Sequence, residues 1–456
     1  MAVLFLARFP WKKSGEALPL VLLVASGVFY AFAGPLAWAL FAFSILSNHH
    51  MASRMQAAEG RVRRRWLCLA LIFNLIYLFC FKYVGLFNSA MSAVGLRLGW
   101  WTRPLPAIAV LLPIGISFYT FEAISLLVDI YHERYRVPRL RTYALFLCYF
   151  PHLVAGPILR GKDLLPQLDS LSIRLPKPDW NRAAAFLSVG LFKKAVLADN
   201  LALLVDPMFL DPGAYSAPKL WIGAYGFALR IFFDFSGYSD MAEGASALFG
   251  IRLTRNFIKP FAAASLSDYW RRWHVSLSSW LRDYLYFPLG GSRKGPARTV
   301  LALFVTMALG GLWHGARGTF LVWGLYHGIL LGIERLLGMS SPATPGWKRW
   351  LQMFTTFHLV LVGWVLFRAT SLADAGLYLH DAVFGLWSFD SNAFGLAALL
   401  ALALLFAWWE GNWSDRAWDG DQPGLSPANL AFLHAAIVMV RLGQSAAAQT
   451  FIYFRF

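Results

Sequence analysis

"WRRWHVSLSSWLRDYLYFPLGG", residues 270–291, sets His274, the charges of Arg271, Arg272, Arg282 and Asp283, and six aromatic rings into a chain whose other long stretches are apolar. From Arg252 to Arg298 no stretch of membrane-spanning length is free of charge, so this region is not an ordinary helix facing lipid. Polar or irregular backbone survives at membrane depth only where it is packed in protein or lines a wet cavity. Residues 258–292 are therefore expected to form short, interfacial or re-entrant helices beside a cavity.

The surroundings of that stretch decide the class. Of the 456 residues, 58% are hydrophobic, 16% aromatic and only 14% charged, with mean hydropathy +0.53. These values exclude a soluble multidomain protein and predict an all-α polytopic membrane protein. Apolar runs near 17–33, 35–50, 66–87, 105–131, 143–158, 183–204, 219–236, 298–316, 318–338, 351–370, 392–409 and 427–442 predict about ten to twelve spans. No internal repeat or soluble domain separates them, and residues 1–456 are read as one membrane domain with a motif-rich core over 105–340. Loops are expected around Leu171 to Trp180 and at "SSPATPGWKRW".

The formal net charge of +17 raises the question of nucleic acid. The basic residues, however, cluster between apolar runs, as at Arg61, Arg63, Arg64 and Arg65, which fits loops beside an anionic lipid leaflet and no nucleic-acid partner. That loop and the one bearing Arg134, Arg136, Arg139 and Arg141 are expected on the cytoplasmic side, together with Arg8, Lys12 and Lys13. The opening "MAVLFLARFPWKK" has too short an apolar run for a span and no small-residue cleavage site, so no removable signal peptide is expected. Cys68, Cys80 and Cys148 lie in apolar surroundings without CxxC or Cys/His spacing, which argues against a disulfide framework or a zinc site.

Two histidines stand out as chemistry. His314, in "ALGGLWHGARGTFLVWG", follows an uncharged run from Thr299 and so lies near the end of a spanning helix, where an ionisable group is costly. A packing residue bonded to carbonyls and a functional base both account for it. Gly310, Gly311 and Gly315, which let a helix or a substrate come close, favour function. His327 has the same two readings without charged neighbours, and packing is preferred there.

His274, Ser278 and Arg282 recur at helical i, i+4 spacing, which would put a base, a hydroxyl and a cation on one face, next to Asp283. A charged surface network with an aromatic interfacial belt explains the same residues. In "RIFFDFSGYSDMAEG", Arg230 and Asp234 have ion-pair spacing, and Ser236, Tyr238, Ser239 and Asp240 around Gly237 are read as a broken helix lining a cavity. No G-x-S-x-G elbow makes either serine a nucleophile. His152, between prolines in "YFPHLVAGPILRG", is expected at a distorted helix or loop. His49 and His50 beside the basic loop are read as solvated. No closely spaced series of His pairs suggests a di-iron site, and no metal is expected to be needed.

The segments "LPIGISFYTFEAISLLVDIY", "YFPHLVAGPILR", "FDFSGYSDMAEG", "RNFIKPFAAASLSDYWRRWHVSLSSWLRDYLYFPLGGSR", "GGLWHGARGTFLVWGLYHG", "LVGWVLFRA" and the terminal "FIYFRF" run in order from Leu112 to Phe456. In them the chain resembles the membrane-bound O-acyltransferase family, and within it the branch of the bacterial alginate O-acetylation protein. The resemblance implies a helical membrane enzyme with a funnel or tunnel through it. It also implies that His314 is the catalytic histidine and His274 the second active-site histidine. One departure concerns the beginning: relatives start with a full spanning helix, whereas residues 1–9 are too short for one.

Acyl transfer from a thioester to a hydroxyl needs a base, donors for the oxyanion and exclusion of water. His314 suits the base. His274, Trp313, Arg282 or backbone amides are open as positioning groups or oxyanion donors, and Asp283, Ser278, Asp234, Tyr238 and His152 complete the candidate substrate-binding residues. The resemblance implies acetyl groups carried from a cytosolic thioester, with acetyl-CoA as the expected donor and no bound cofactor, to an exported polysaccharide such as alginate. The expected partners are an extracytoplasmic acetyltransferase or esterase-like protein, the polysaccharide synthesis machinery and membrane lipid, and the expected location is the bacterial inner membrane as a multi-pass protein. D-alanyl transfer toward teichoic acid from a carrier-protein thioester is the alternative within the enzyme class, and a transporter or flippase the alternative outside it.

Overall fold

A computed structural model describes residues 17–108, 110, 112–171, 176–339, 346–389, 391–419 and 425–443. The basic residues Arg8, Lys12 and Lys13 and the "FIYFRF" terminus lie outside these, as do parts of the two expected loops. Among the described residues the regular structure is helical, with no strand. The chain is an all-α polytopic membrane protein. Four helices are long and apolar enough to cross a membrane: Gly60–Arg97, Pro296–His314, Trp347–Arg368 and Ala393–Trp418. Other expected spans are shorter or carry charge. Residues 105–131 are helical only over Ile116–Tyr131, and residues 143–158 only as far as Cys148, at the end of Leu140–Cys148. Pro151 and Pro157 follow, and a proline cannot continue the hydrogen-bond ladder.

The chain divides into two compact units, Met1–Asp179 with Ser246–Thr254, and Trp180–Ala245 with Arg255–Phe456. In the first unit, Gly60–Arg97 turns Leu69, Ile72, Leu75 and Ile76 outward, each about half exposed as a lipid-facing surface requires. Its other face carries Asn74, whose Nδ2 donates to Asn48 Oδ1 at 2.6 Å on Pro35–Gln56. Such a buried amide pair satisfies two polar groups that hydrocarbon would leave bare. Ile116–Tyr131 is the buried centre of this unit, every residue from Ile116 to Leu127 being buried. It begins at Gly115, whose φ of 75° and close approach to Leu153 suit glycine; a Cβ there would stand 2.6 Å from the Leu153 carbonyl oxygen.

In the second unit, Pro296–His314 and Gly318–Leu336 form a tight helical hairpin. Small residues bring them together: a Cβ on Gly324 would lie 2.3 Å from the Met307 carbonyl oxygen. The charge-dense stretch forms short helices, as its composition predicts: Leu266–Arg272, Val275–Leu281 and a π turn Arg282–Tyr286. Ser265 caps the first through the Asp268 amide, while the Glu334 carboxylate accepts from the amides of Leu266 at 2.7 Å and Ser267 at 3.2 Å. An anion at a helix N-terminus satisfies its orphan donors, so Glu334 ties the short helix to Gly318–Leu336.

Two expectations about "RIFFDFSGYSDMAEG" are corrected. The helix Ala217–Ala247 runs unbroken through Ser236 to Asp240. Gly237 serves helix packing instead: a Cβ on it would be 2.9 Å from the Gly190 carbonyl oxygen. Arg230 makes its hydrogen-bonded ion pair with Asp206, and Asp234 adds only a weaker attraction. Arg368 also binds Asp206 at 2.6 Å, and Asp234 receives Lys194 at 2.8 Å. Neighbouring helices thus outcompete the i, i+4 partner, because a buried charge must be met by whatever partner excludes water with it.

Candidate active site

His314 ends the Pro296–His314 helix, as the uncharged run before it implies, and is buried. Its ring stands edge-to-face on Trp323 at 5.1 Å and Phe367 at 5.2 Å between ring centres, and on its neighbour Trp313 at 5.0 Å. The other side of this aromatic wall holds His274, whose ring lies 6.1 Å from that of Trp313. Trp313 therefore touches both histidines. The two segments that the sequence singles out, separated along the chain, come together on one buried tryptophan.

The glycines beside His314 face protein. A Cβ on Gly311 would meet the Phe320 carbonyl oxygen at 2.2 Å, and one on Gly315 the Phe320 ring at 2.3 Å. Of the two occupants that sequence allowed, a helix takes the space. His327 is buried among Trp270, Trp323 and Tyr326, with its Nε2 2.7 Å from where a Cβ of Gly363 would stand.

His274 departs from the expected stripe. It stands ahead of Val275–Leu281 in the left-handed conformation, φ 44°, so it is the residue before the helix and not part of its face. That backbone turn sends its ring inward. Its Nδ1 lies 3.1 Å from Asn256 Oδ1, and its ring packs edge-on against Phe235 at 4.5 Å. Burial without a charged partner holds the imidazole pKa well below its usual value, at about 3, so it is neutral at physiological pH.

Ser278 and Arg282, by contrast, line a cavity of about 390 Å³ with Arg271, Arg335, Thr306 and Tyr286. Ligand pockets commonly run from roughly 300 to 1,000 Å³. Asp283 neutralises one of these cations, accepting from Arg282 at 2.7 and 3.2 Å. Trp270 forms part of the cavity wall and packs on Trp323, which in turn touches His314. Two indoles in succession, Trp270 and Trp323, thus stand between the basic cavity and the histidine.

The remaining candidates are elsewhere. Asp234 is bound to Lys194, and Tyr238 is half-buried on the long helix. His152 belongs to the first unit, in the non-helical stretch after Cys148, with its Nε2 3.1 Å from Glu122 in a fully buried pair. His49 is half-buried, its Nε2 3.1 Å from the Pro138 carbonyl, while His50 is exposed. Asn256, eighteen residues before His274, was not singled out by sequence, nor were Lys193 and Glu410, the partners of Asp240. Lys193 Nζ donates at 2.6 Å to both Asp240 and Glu410, all three buried. A pair of lysines inside the apolar run 183–204 was the available signal. Among the described residues no three or more His, Cys, Asp or Glu side chains gather as a metal site.

Residues 75–373, which contain the hairpin, the short helices and both histidines, match the family described as MBOAT, membrane-bound O-acyltransferase family. The chain belongs to the membrane-bound O-acyltransferase family. It is therefore an O-acyltransferase of the membrane. It is 42% identical over 395 residues to a "Probable alginate O-acetylase AlgI" of Pseudomonas putida, covering 85% of this chain and 80% of that one. A peptidoglycan O-acetyltransferase of Helicobacter pylori is 34% identical over 385 residues, 78% of this chain and 71% of the relative. A teichoic acid D-alanyltransferase of Bacillus subtilis is more distant, 28% identical over 273 residues, 56% of this chain and 68% of the relative. Membership of an acyltransferase family removes the transporter alternative as an account of the whole chain.

Proposed function

We propose that this enzyme moves acetyl groups from a cytosolic thioester, acetyl-CoA by preference, across the bacterial inner membrane for O-acetylation of an exported polysaccharide. The observation that carries the reading is the meeting of His274 and His314 on Trp313 in a chain so similar to an alginate O-acetylase. The whole chain is taken as one catalytic unit with its core over residues 105–340. An extracytoplasmic acetyltransferase or esterase-like protein and the polysaccharide synthesis machinery are its partners in this reading.

His314 acts as the general base. As the acceptor hydroxyl attacks the thioester carbonyl, the O–H proton passes to the imidazole, the new C–O bond forms, and the C–S bond breaks. The imidazolium then returns the proton to the leaving thiolate. An imidazole suits both halves, because one ring nitrogen can take the hydroxyl proton and give it to the thiolate. The aromatic wall of Trp313, Trp323 and Phe367 excludes the water that would hydrolyse the donor. The arginines of the cavity, Arg271, Arg282 and Arg335, suit an anionic part of the donor. Acyl analysis of the exported glycan with and without the protein tests the reading. Loss of ester-linked acetyl supports it; an unchanged acetyl content overturns it, and loss of D-alanyl ester instead would transfer the protein to the teichoic acid reaction.

A further inference from the structure

Asn256 Oδ1 lies within hydrogen-bond distance of three groups, the Ser276 backbone amide at 3.2 Å, the Ser276 hydroxyl at 3.0 Å and His274 Nδ1 at 3.1 Å. The backbone amide is only ever a donor. The atom facing it is consequently the amide oxygen, and the nitrogen, Nδ2, is directed to Ser239 Oγ at 3.4 Å. An oxygen cannot donate, so the ring nitrogen beside it carries the hydrogen. In a neutral imidazole the other nitrogen is then a lone pair. His274 Nε2 is buried and has no hydrogen-bond partner.

From this geometry we infer that Asn256 is a positioning residue that locks His274 with its hydrogen on Nδ1, so that His274 presents Nε2 to the substrate as a hydrogen-bond acceptor and meets a hydroxyl hydrogen of the acceptor molecule. The inference rests on the acyl-transfer reading and deepens it, because it decides between the two roles open to His274. An atom without a hydrogen cannot stabilise an oxyanion, which needs donors. His274 instead holds the acceptor, and the oxyanion must be met by other groups. Since His314 takes the hydrogen of the attacking hydroxyl, the acceptor recognised by His274 carries a second hydroxyl near the one acylated, which is the chemistry of a sugar.

The surroundings preserve the neutral ring. Facing it are Asn256 from the non-helical stretch before the short helices, Ser276 from its own helix, Phe235 from the long helix and Trp313, next to the titratable His314, from the hairpin. The charged residues on these elements are engaged elsewhere: Asp234 with Lys194, Asp240 with Lys193, Arg255 with Asp415, Arg272 with Asp268 and Arg282 with Asp283, while Arg271 lines the cavity. Burial alone accounts for the depressed pKa.

Two measurements on the full chain in detergent test the inference. Nitrogen-15 NMR of histidine-labelled protein, with the His274 signals assigned by their loss in His274→Gln, should show a protonated Nδ1 and a bare Nε2 across roughly pH 5 to 8; the opposite tautomer overturns the inference whatever the enzyme acylates. In activity, Asn256→Asp keeps the acceptor oxygen and adds a charge that favours imidazolium, so the acid limb of the rate profile should move to higher pH while the plateau stays within about threefold of the parent. Asn256→Leu, lacking any acceptor, should lose about tenfold or more at every pH. A lowered melting temperature with an unmoved profile in Asn256→Asp would make Asn256 merely structural. If Asn256→Leu does not fold, the aspartate profile and the tautomer decide. Absence of acyl transfer by the parent protein would sink the acyl-transfer reading while leaving the tautomer measurement to stand on its own.

Discussion

Gly311 stands so close to Phe320 that a methyl group placed on it would lie 2.2 Å from the Phe320 carbonyl oxygen. The contact is backbone on one side and has nowhere to yield. Gly311→Ala should therefore push the two hairpin helices apart, at a cost of about 1–3 kcal/mol by the usual penalty of overpacking. Because His314 is three residues on, the variant should lose activity beyond its loss of stability. Thermal melting in detergent together with the transfer rate checks this; unchanged values in both would show that the hairpin is looser than its glycines imply.

His314 and His327 are both buried in aromatic surroundings, so they make a matched pair. In His314→Gln the amide keeps size and hydrogen bonding but cannot accept the proton, and transfer should fall by about 10²-fold or more. His327→Gln should retain near-normal transfer. Near-normal glycan acylation by a folded His314→Gln protein would remove His314 as the base and promote His274.

Much of this site was legible in the sequence. His314 at a helix end follows from an apolar run that begins at Thr299, and the short helices around His274 follow from charge too dense for a span. What was not legible was the choice of partners. Arg230 has Asp234 at ideal spacing yet binds Asp206, because packing against other helices, not position on its own, supplies the dry neighbour. Asn256 lies in a non-helical stretch where no periodicity connects it with His274. The left-handed backbone at His274 also defeats an i, i+4 argument that assumed it lay inside the helix.

Lys193 answers two carboxylates, and this asymmetry predicts opposite outcomes for its partners. Glu410→Gln leaves one cation facing one anion and should change the melting temperature little. Lys193→Met strands both Asp240 and Glu410 in the interior and should cost about 3–5 kcal/mol, the usual result of removing one side of a buried ion pair. Equal melting temperatures for the two variants would refute this account of the cluster.

Acid should destabilise the protein through His274. Its folded pKa, about 3, is below the ordinary value near 6.5, so the unfolded chain binds the proton more readily. Full stability is present above about pH 6.5, declines as pH falls and stops declining near pH 3. His274→Leu should show a shallower fall of melting temperature between about pH 6.5 and 4 than the parent. Parallel curves would mean that the ring is wetter than its burial indicates.

The cluster around Lys193 also bears on how the chain is made. Lys193 and Asp240 are synthesised early, while Glu410 comes more than two hundred residues after the lysine, on a helix made only after the hairpin that carries His314. The nascent protein thus holds an internal cation paired on one side and waiting on the other. Arrival of the Ser391–Asp419 helix brings a second carboxylate to the same ammonium and fastens this late segment to one made much earlier. A ribosome-stalled chain ending before residue 391 would keep the charge-balanced Lys193–Asp240 pair but leave the Lys193 ammonium short of its second acceptor.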